Sequence, residues 1–194
     1  MNPYELLQIP MNAAPDQIMA AFRRVTEAAH PDLHPGDPNA AGWFYAIVDA
    51  YNILCDPVSR YELDTRLMSG ERGYTYRSED FRHSEGFQKY SADELLYVIS
   101  SIRTKEEEAK TAARKYALSG LAWFVGGLAV TIISAMAGAG VLAWGAILFG
   151  GIEAVRGLAE YFKVGGRTAK VKDQFWFDYL NKSVTANTMP SAQQ

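Results

Sequence analysis

Apolar positions in the N-terminal third recur at three- and four-residue spacing, the period of helices that bury one face. Tyr4, Leu7 and Ile9 mark a short first helix, which Pro10 must stop because its ring cannot continue the hydrogen-bond ladder. Asn12 to Asp16 reads as a loop and helix start, with Pro15 suited to the first turn and Asp16 to the positive end of the helix dipole. Ile18, Ala21, Phe22, Val25 and Ala29 then predict an amphipathic helix of about 14 residues. Beyond a breaker-rich stretch from His30 to Pro38, Asn39 is placed to cap a third helix. Trp43, Phe44, Ile47, Ala50, Tyr51 and Leu54 share one face of it, and Asp56-Pro57 ends it. A last short helix carries Arg60, Tyr61, Leu63 and Asp64. Two antiparallel helices joined by a constrained loop predict a compact all-α unit of about 65 residues, near the lower size limit for independent folding.

From 66 to 90 no period emerges; Tyr74, Tyr76, Phe81, Phe87 and Tyr90 among glycines, serines and charges predict a linker with a few aromatic contacts. Ser91 to Glu94 fits a capping box, and Leu95, Val98, Ile99 and Ile102 form a stripe on a helix expected through 91–115, where Glu106 and Lys110 are a favourable pair. Then Tyr116 to Ile152 runs 37 residues without a charge. As helix that is about 55 Å, nearly two bilayer thicknesses, so a hairpin turning at Ala137 to Gly140 is expected, with a transmembrane hairpin over 116–162. Small residues at Gly127, Thr131 and Ala135 and at Ala146, Gly150 and Ala154 allow helix backbones to approach, within the hairpin or between copies. A buried hairpin of a soluble protein is the alternative, but it would need many partners to cover it.

Charge turns the pattern into a topology. Lys110, Arg114 and Lys115 precede the apolar run, Arg156, Lys163, Arg167, Lys170 and Lys172 follow it, and the expected turn has none. The positive-inside rule then puts two spans in the bilayer and both termini in the cytoplasm. Glu153 is expected to pair with Arg156 at the interface rather than to act inside the membrane. The tail over 163–194 offers Phe175-Trp176-Phe177 with Tyr179 and Leu180, which either lies in the headgroup region or docks on the protein; from Ser183 its polar composition predicts a disordered end.

Composition adds a contrast between the parts. Residues 1–64 carry three basic and nine acidic side chains, and the remainder 16 basic and 13 acidic, so the N-terminal unit is negative and no nucleic-acid partner is expected. The single cysteine, Cys55, excludes an internal disulfide or a Cys-rich zinc module and reads as apolar filler near a helix end. Met1 to Glu5 have neither the basic nor the apolar region of a cleavable signal, so the N-terminal unit is expected to stay on the side where it was made.

The loop His30-Pro31-Asp32 holds the candidate chemistry. It has no nucleophile at a defined spacing and no Gly-rich phosphate loop beside it, and His30, Asp32 and His34 make an incomplete metal site, so neither catalysis nor a cofactor is expected. Binding fits better: Asp32 can take a bidentate pair from a partner arginine, and Pro31 limits the loop's freedom.

Tyr4-Glu5-Leu6-Leu7, Ala21-Phe22-Arg23-Arg24, His30-Pro31-Asp32, the Phe44, Ile47, Ala50, Tyr51 and Leu54 spacing, and Asp56-Pro57 before Arg60 and Asp64 together resemble the J-domain of DnaJ-type co-chaperones. The resemblance covers residues 2 to 65. It implies an N-terminal J-domain helical hairpin that stimulates ATP hydrolysis by a heat shock protein 70 (DnaK-type) chaperone, the chemistry being the partner's. His30, Pro31 and Asp32 would be the signature contacts, with Arg23 and Arg24 supplying positive charge. The sequence departs from the family where further basic residues are usual: Met19, Ala20 and Ala28 stand on the second helix and Leu33 follows the signature. Long-range steering of an acidic partner should therefore be weak, and tethering to a bilayer near a membrane-associated client can compensate. The alternative is a structural membrane-hairpin scaffold whose J-like domain binds another partner.

Overall fold

The computed structural model describes residues 1–71, 76–138 and 144–188, and for 182–188 the backbone alone. Its helices are α1 (Pro3–Leu7), α2 (Pro15–Ala28), α3 (Ala40–Cys55), α4 (Pro57–Met68), α5 (Ala92–Met136) and α6 (Trp144–Thr188). Two compact units emerge, Met1–Ser100 with Gln174–Gln194, and Ser101–Asp173. Both α5 and α6 contribute to each unit.

In the first unit α1 opens on a reciprocal cap, Asn2 Oδ1 accepting from the Glu5 amide at 2.9 Å and the Glu5 carboxylate from the Asn2 amide at 3.0 Å. It ends before Pro10 is reached, because Gln8 turns left-handed at φ 57°. The second helix spans the expected 14 residues and buries Ile18, Ala21 and Phe22. Asn39 precedes α3 without capping it: its backbone is already helical, so its side chain makes no cap bond, while its amide donates to Asp37 Oδ1 at 2.8 Å.

Helix α3 is the centre of the unit. Phe44, Ile47, Ala50, Tyr51 and Leu54 are buried as their spacing predicts, whereas Trp43, in the first turn, stays 49 % exposed. Val48, Asn52 and Ile53 on the other side are buried too, because residues 76–90 pack across it. Tyr90 donates its amide to Asn52 Oδ1 at 2.7 Å and accepts from Asn52 Nδ2 at 3.1 Å; Ser78 donates to Asp49 at 2.9 Å. Tyr76, Phe81 and Tyr90 thereby join the core, where Phe22 stacks on Tyr51 at 3.9 Å and Tyr90 meets Tyr51 edge-on at 4.9 Å. Tyr74 lies outside the described residues.

Two polar knots lock the ends. Tyr4 donates to Asp64 at 2.7 Å and accepts from Arg60 Nε at 3.0 Å, while Arg60 Nη2 reaches the carbonyls of Met11 and Ala13. Burial and the bond to Asp64 push the Tyr4 hydroxyl up to about 12. Asp56, 1 % exposed, caps α4 by accepting from the Ser59 amide at 3.0 Å and also receives Ser59 Oγ and the Ser84 amide and hydroxyl. Burial alone would raise its pKa, but these bonds outweigh it and hold the carboxyl below the usual range.

In the second unit α5 and α6 approach until their backbones touch. A Cβ on Gly150 would lie 2.5 Å from Phe124 N, one on Gly157 2.5 Å from Ala117 N, and one on Gly127 2.8 Å from Ala146 Cβ; Gly120 would collide with Ala154 N. The buried positions recur every seven residues, at Ala113, Gly120, Gly127 and Ser134 on α5 and Gly150, Gly157 and Val164 on α6. Gly150 and Gly127 therefore serve as their spacing predicts, but Ala135 is exposed because the seam follows the seven-residue period. Met136 ends α5 and Gly138 turns at φ 71°; Ala139 and Gly140, the rest of the expected turn, lie outside the described residues. Glu106 and Lys110 pair at 2.7 Å, but no ion pair joins Glu153 to Arg156. Among the described residues one helix, α5, is long and apolar enough to cross a membrane, and only 17 % of its apolar stretch is buried.

Candidate functional site

The loop after α2 is built by its own sequence. Pro31 favours the turn and Pro31–Leu33 closes as a single 3-10 turn, with Leu33 N donating to His30 O at 2.9 Å and His34 N to Pro31 O at 2.9 Å. His30 caps it, Nδ1 accepting from the Asp32 amide at 3.2 Å. In a neutral ring this leaves the proton on Nε2, which faces Leu96 O at 3.4 Å and Ser100 Oγ at 3.5 Å. The ring stands edge-on to Phe44 at 5.5 Å and is 1 % exposed. His30 is thus a buried strut of the loop, while the Asp32 side chain is 50 % exposed and accepts from Ser100 Oγ through Oδ2 at 3.0 Å.

The Nε2 of His34, the second imidazole, meets Ala28 O at 2.9 Å and caps the end of α2. Among the described residues no group of three or more His, Cys, Asp or Glu could hold a metal ion. Arg23 and Arg24, adjacent on α2, diverge. Arg23 Nε leans on Glu27 Oε1 at 3.4 Å, and Arg24 is exposed, lining a shallow recess of about 400 Å³ with Gln8, Val25, Ala28, Ala29 and His34. The structure therefore joins His30, Pro31 and Asp32 in one turn, with the two arginines on the helix leading into it.

Leu96, Ser100, Glu27 and Trp176 are also neighbours of this surface. Trp176 is 2 % exposed, sits edge-on to Phe22 at 5.8 Å and donates Nε1 to Glu27 Oε1 at 2.6 Å. The aromatic cluster of the tail thus docks on protein; its signal in sequence was its composition, while its docking place had none.

A family model for the DnaJ domain matches residues 2–64. Those residues are a DnaJ domain. The DnaJ domain here is 45 % identical over 64 residues to chaperone protein dnaJ 39 of Arabidopsis thaliana, covering 33 % of this chain and 16 % of that one. It is 41 % identical over 66 residues to chaperone protein DnaJ 2 of Synechocystis, covering 34 % and 22 %. Protein CAJ1 of Saccharomyces cerevisiae is 33 % identical over 120 residues, 57 % of this chain and 31 % of that protein. The chain spans less than a third of the length of these curated relatives. No solved structure matches it.

Proposed function

We propose that this protein is a membrane-anchored co-chaperone that recruits a heat shock protein 70 (DnaK-type) ATPase through His30-Pro31-Asp32 and accelerates its ATP hydrolysis. The observation that carries the proposal is the signature held in one closed turn of a DnaJ domain, with half of the Asp32 carboxylate open to a partner arginine. His30 fixes the turn from inside, Pro31 limits its freedom, and Arg23 and Arg24 supply what positive charge the second helix has. Bond-making chemistry stays with the partner.

The anchor is the hairpin of α5 and α6. Its large apolar side chains face outward, Trp123 at 64 %, Ile133 at 67 %, Phe149 at 72 %, and small residues face the seam, the arrangement that suits helices packing in lipid. The uncharged stretch from Trp144 to Ile152 supports reading α6 as the second span, and the basic residues flanking the apolar run support both termini in the cytoplasm. Tethering replaces the steering that a second helix with few basic residues does not supply, and brings the chaperone to a membrane-associated client.

The test is ATP turnover by a DnaK-type chaperone with the full chain in lipid nanodiscs. Stimulation by the wild type and its loss in His30→Gln support the reading. No stimulation of any such chaperone from the same cell sinks it, and leaves the scaffold function of the hairpin as the account to pursue.

A further inference from the structure

In the loop read above as the chaperone contact, the His30 ring is covered by the chain's own segments while the Asp32 side chain stays half exposed. Ser100 Oγ touches both signature side chains, donating to Asp32 Oδ2 at 3.0 Å and lying 3.5 Å from His30 Nε2, while Leu96 O faces the same ring nitrogen at 3.4 Å. The start of α5 is pinned there by buried Leu95 and Ile99 and by a hydrogen bond from Tyr45 to Asp93. On α2 a second arm is seated: Trp176 donates to the same Glu27 oxygen that Arg23 uses. The arms are tied together, Tyr179 OH donating to Ser91 O at 3.5 Å and Tyr90 OH to Leu180 O at 3.4 Å.

We propose that residues 92–100 and 174–180 form a clamp that holds the signature loop closed, so that the chaperone engages His30 and Asp32 only after the clamp opens. The proposal rests on the reading of the loop as the chaperone contact. A bidentate arginine uses both Asp32 oxygens, and Ser100 Oγ already donates to one of them, taking one of its acceptor positions and standing beside the carboxylate that the arginine must approach. The bonds to the His30 ring, at 3.4 and 3.5 Å, are at the long end of the hydrogen-bond range, whereas those to Asp32 and Glu27 are 3.0 and 2.6 Å. A loop open in a tenth of the molecules would weaken the apparent affinity for the chaperone about tenfold. Each arm continues into one hairpin helix, so the control elements and the anchor share the same two helices.

The test uses the full chain in lipid nanodiscs and two readouts, amide hydrogen exchange across His30–His34 and the concentration dependence of ATPase stimulation. Ser100→Ala removes the hydroxyl, and Trp176→Phe removes the donor to Glu27 while keeping a ring against Phe22. Both should speed loop exchange and lower the half-saturating concentration severalfold with the maximal rate unchanged. Stimulation that is abolished by His30→Gln but has the wild-type half-saturation in both variants overturns the clamp and leaves the function standing. Unchanged loop exchange in both variants overturns it as well. Absence of stimulation from every form refutes the functional reading, and with it the clamp as its control.

Discussion

In the unit of residues 1–100 and 174–194 the largest side chains are the most deeply placed: Tyr4, Phe22, Phe44 and Tyr51 are each at most 2 % exposed. In the unit of residues 101–173 the order reverses. Gly120, Gly127, Gly150 and Gly157 form the buried seam, while Trp123, Ile133 and Phe149 look outward. The first arrangement draws its stability from removing apolar surface from water. The second gains little that way and depends on backbone-to-backbone contact, which is what holds helices together when the surroundings are themselves apolar. One chain therefore carries two solutions to packing, the second of which suits the bilayer proposed for it, and substitutions should sort by unit accordingly.

The sharpest way to break the contrast is to delete a large side chain from each unit. Phe22→Ala should cost about 3–5 kcal/mol, because a fully buried ring between Tyr51 and Trp176 leaves a cavity, whereas Phe149→Ala, on an exposed site, should stay within about 0.5 kcal/mol. Denaturant unfolding of the full chain in detergent, followed by near-ultraviolet circular dichroism, measures both; equal losses would remove the distinction.

The converse is to add bulk. Gly150→Leu drives a side chain into the Phe124 backbone and should cost about 1–3 kcal/mol while widening the spacing of α5 and α6 measured between spin labels. Gly145→Leu, where nothing lies within 4 Å, should leave the spacing alone.

A smaller effect probes the buried polar chemistry of the first unit. Asp56→Asn should cost about 1–3 kcal/mol at neutral pH through its unsatisfied donors. Asp56's folded-state pKa is depressed, so its contribution is fully present above the unfolded value near ~4 and is lost as pH falls through the folded value. Wild-type stability should fall on acidification below about pH 4, and the variant should lose that part of the slope. An unchanged slope in acid titration monitored by circular dichroism would remove Asp56 from the account.

What could be read from the sequence follows the range of the interactions. The face of α2, that of α3 apart from Trp43, and the place of His30-Pro31-Asp32 between the two helices rest on spacings of a few residues, and the structure keeps them. Asn39 has the residue type of a cap but not its backbone conformation, and the conformation decides. The bonds from Asn52 to Tyr90, Ser100 to Asp32 and Trp176 to Glu27 join residues 38, 68 and 149 positions apart, and no period in the chain encodes them. That is why the first unit proves larger than the DnaJ domain alone. The seven-residue seam was present in the sequence, but small residues at four-residue spacing mark several stripes on one helix, and only packing decides which is buried.

The most direct measurement is the rate of ATP hydrolysis by a DnaK-type chaperone in the presence of the full chain in nanodiscs, wild type against Asp32→Asn. Asp32 is half exposed and outside the core, so the substitution alters the contact without unpacking the domain. Acceleration by the wild type and none by Asp32→Asn is the predicted result. Equal acceleration by the two would contradict the assignment of this loop as the point where the chaperone is engaged.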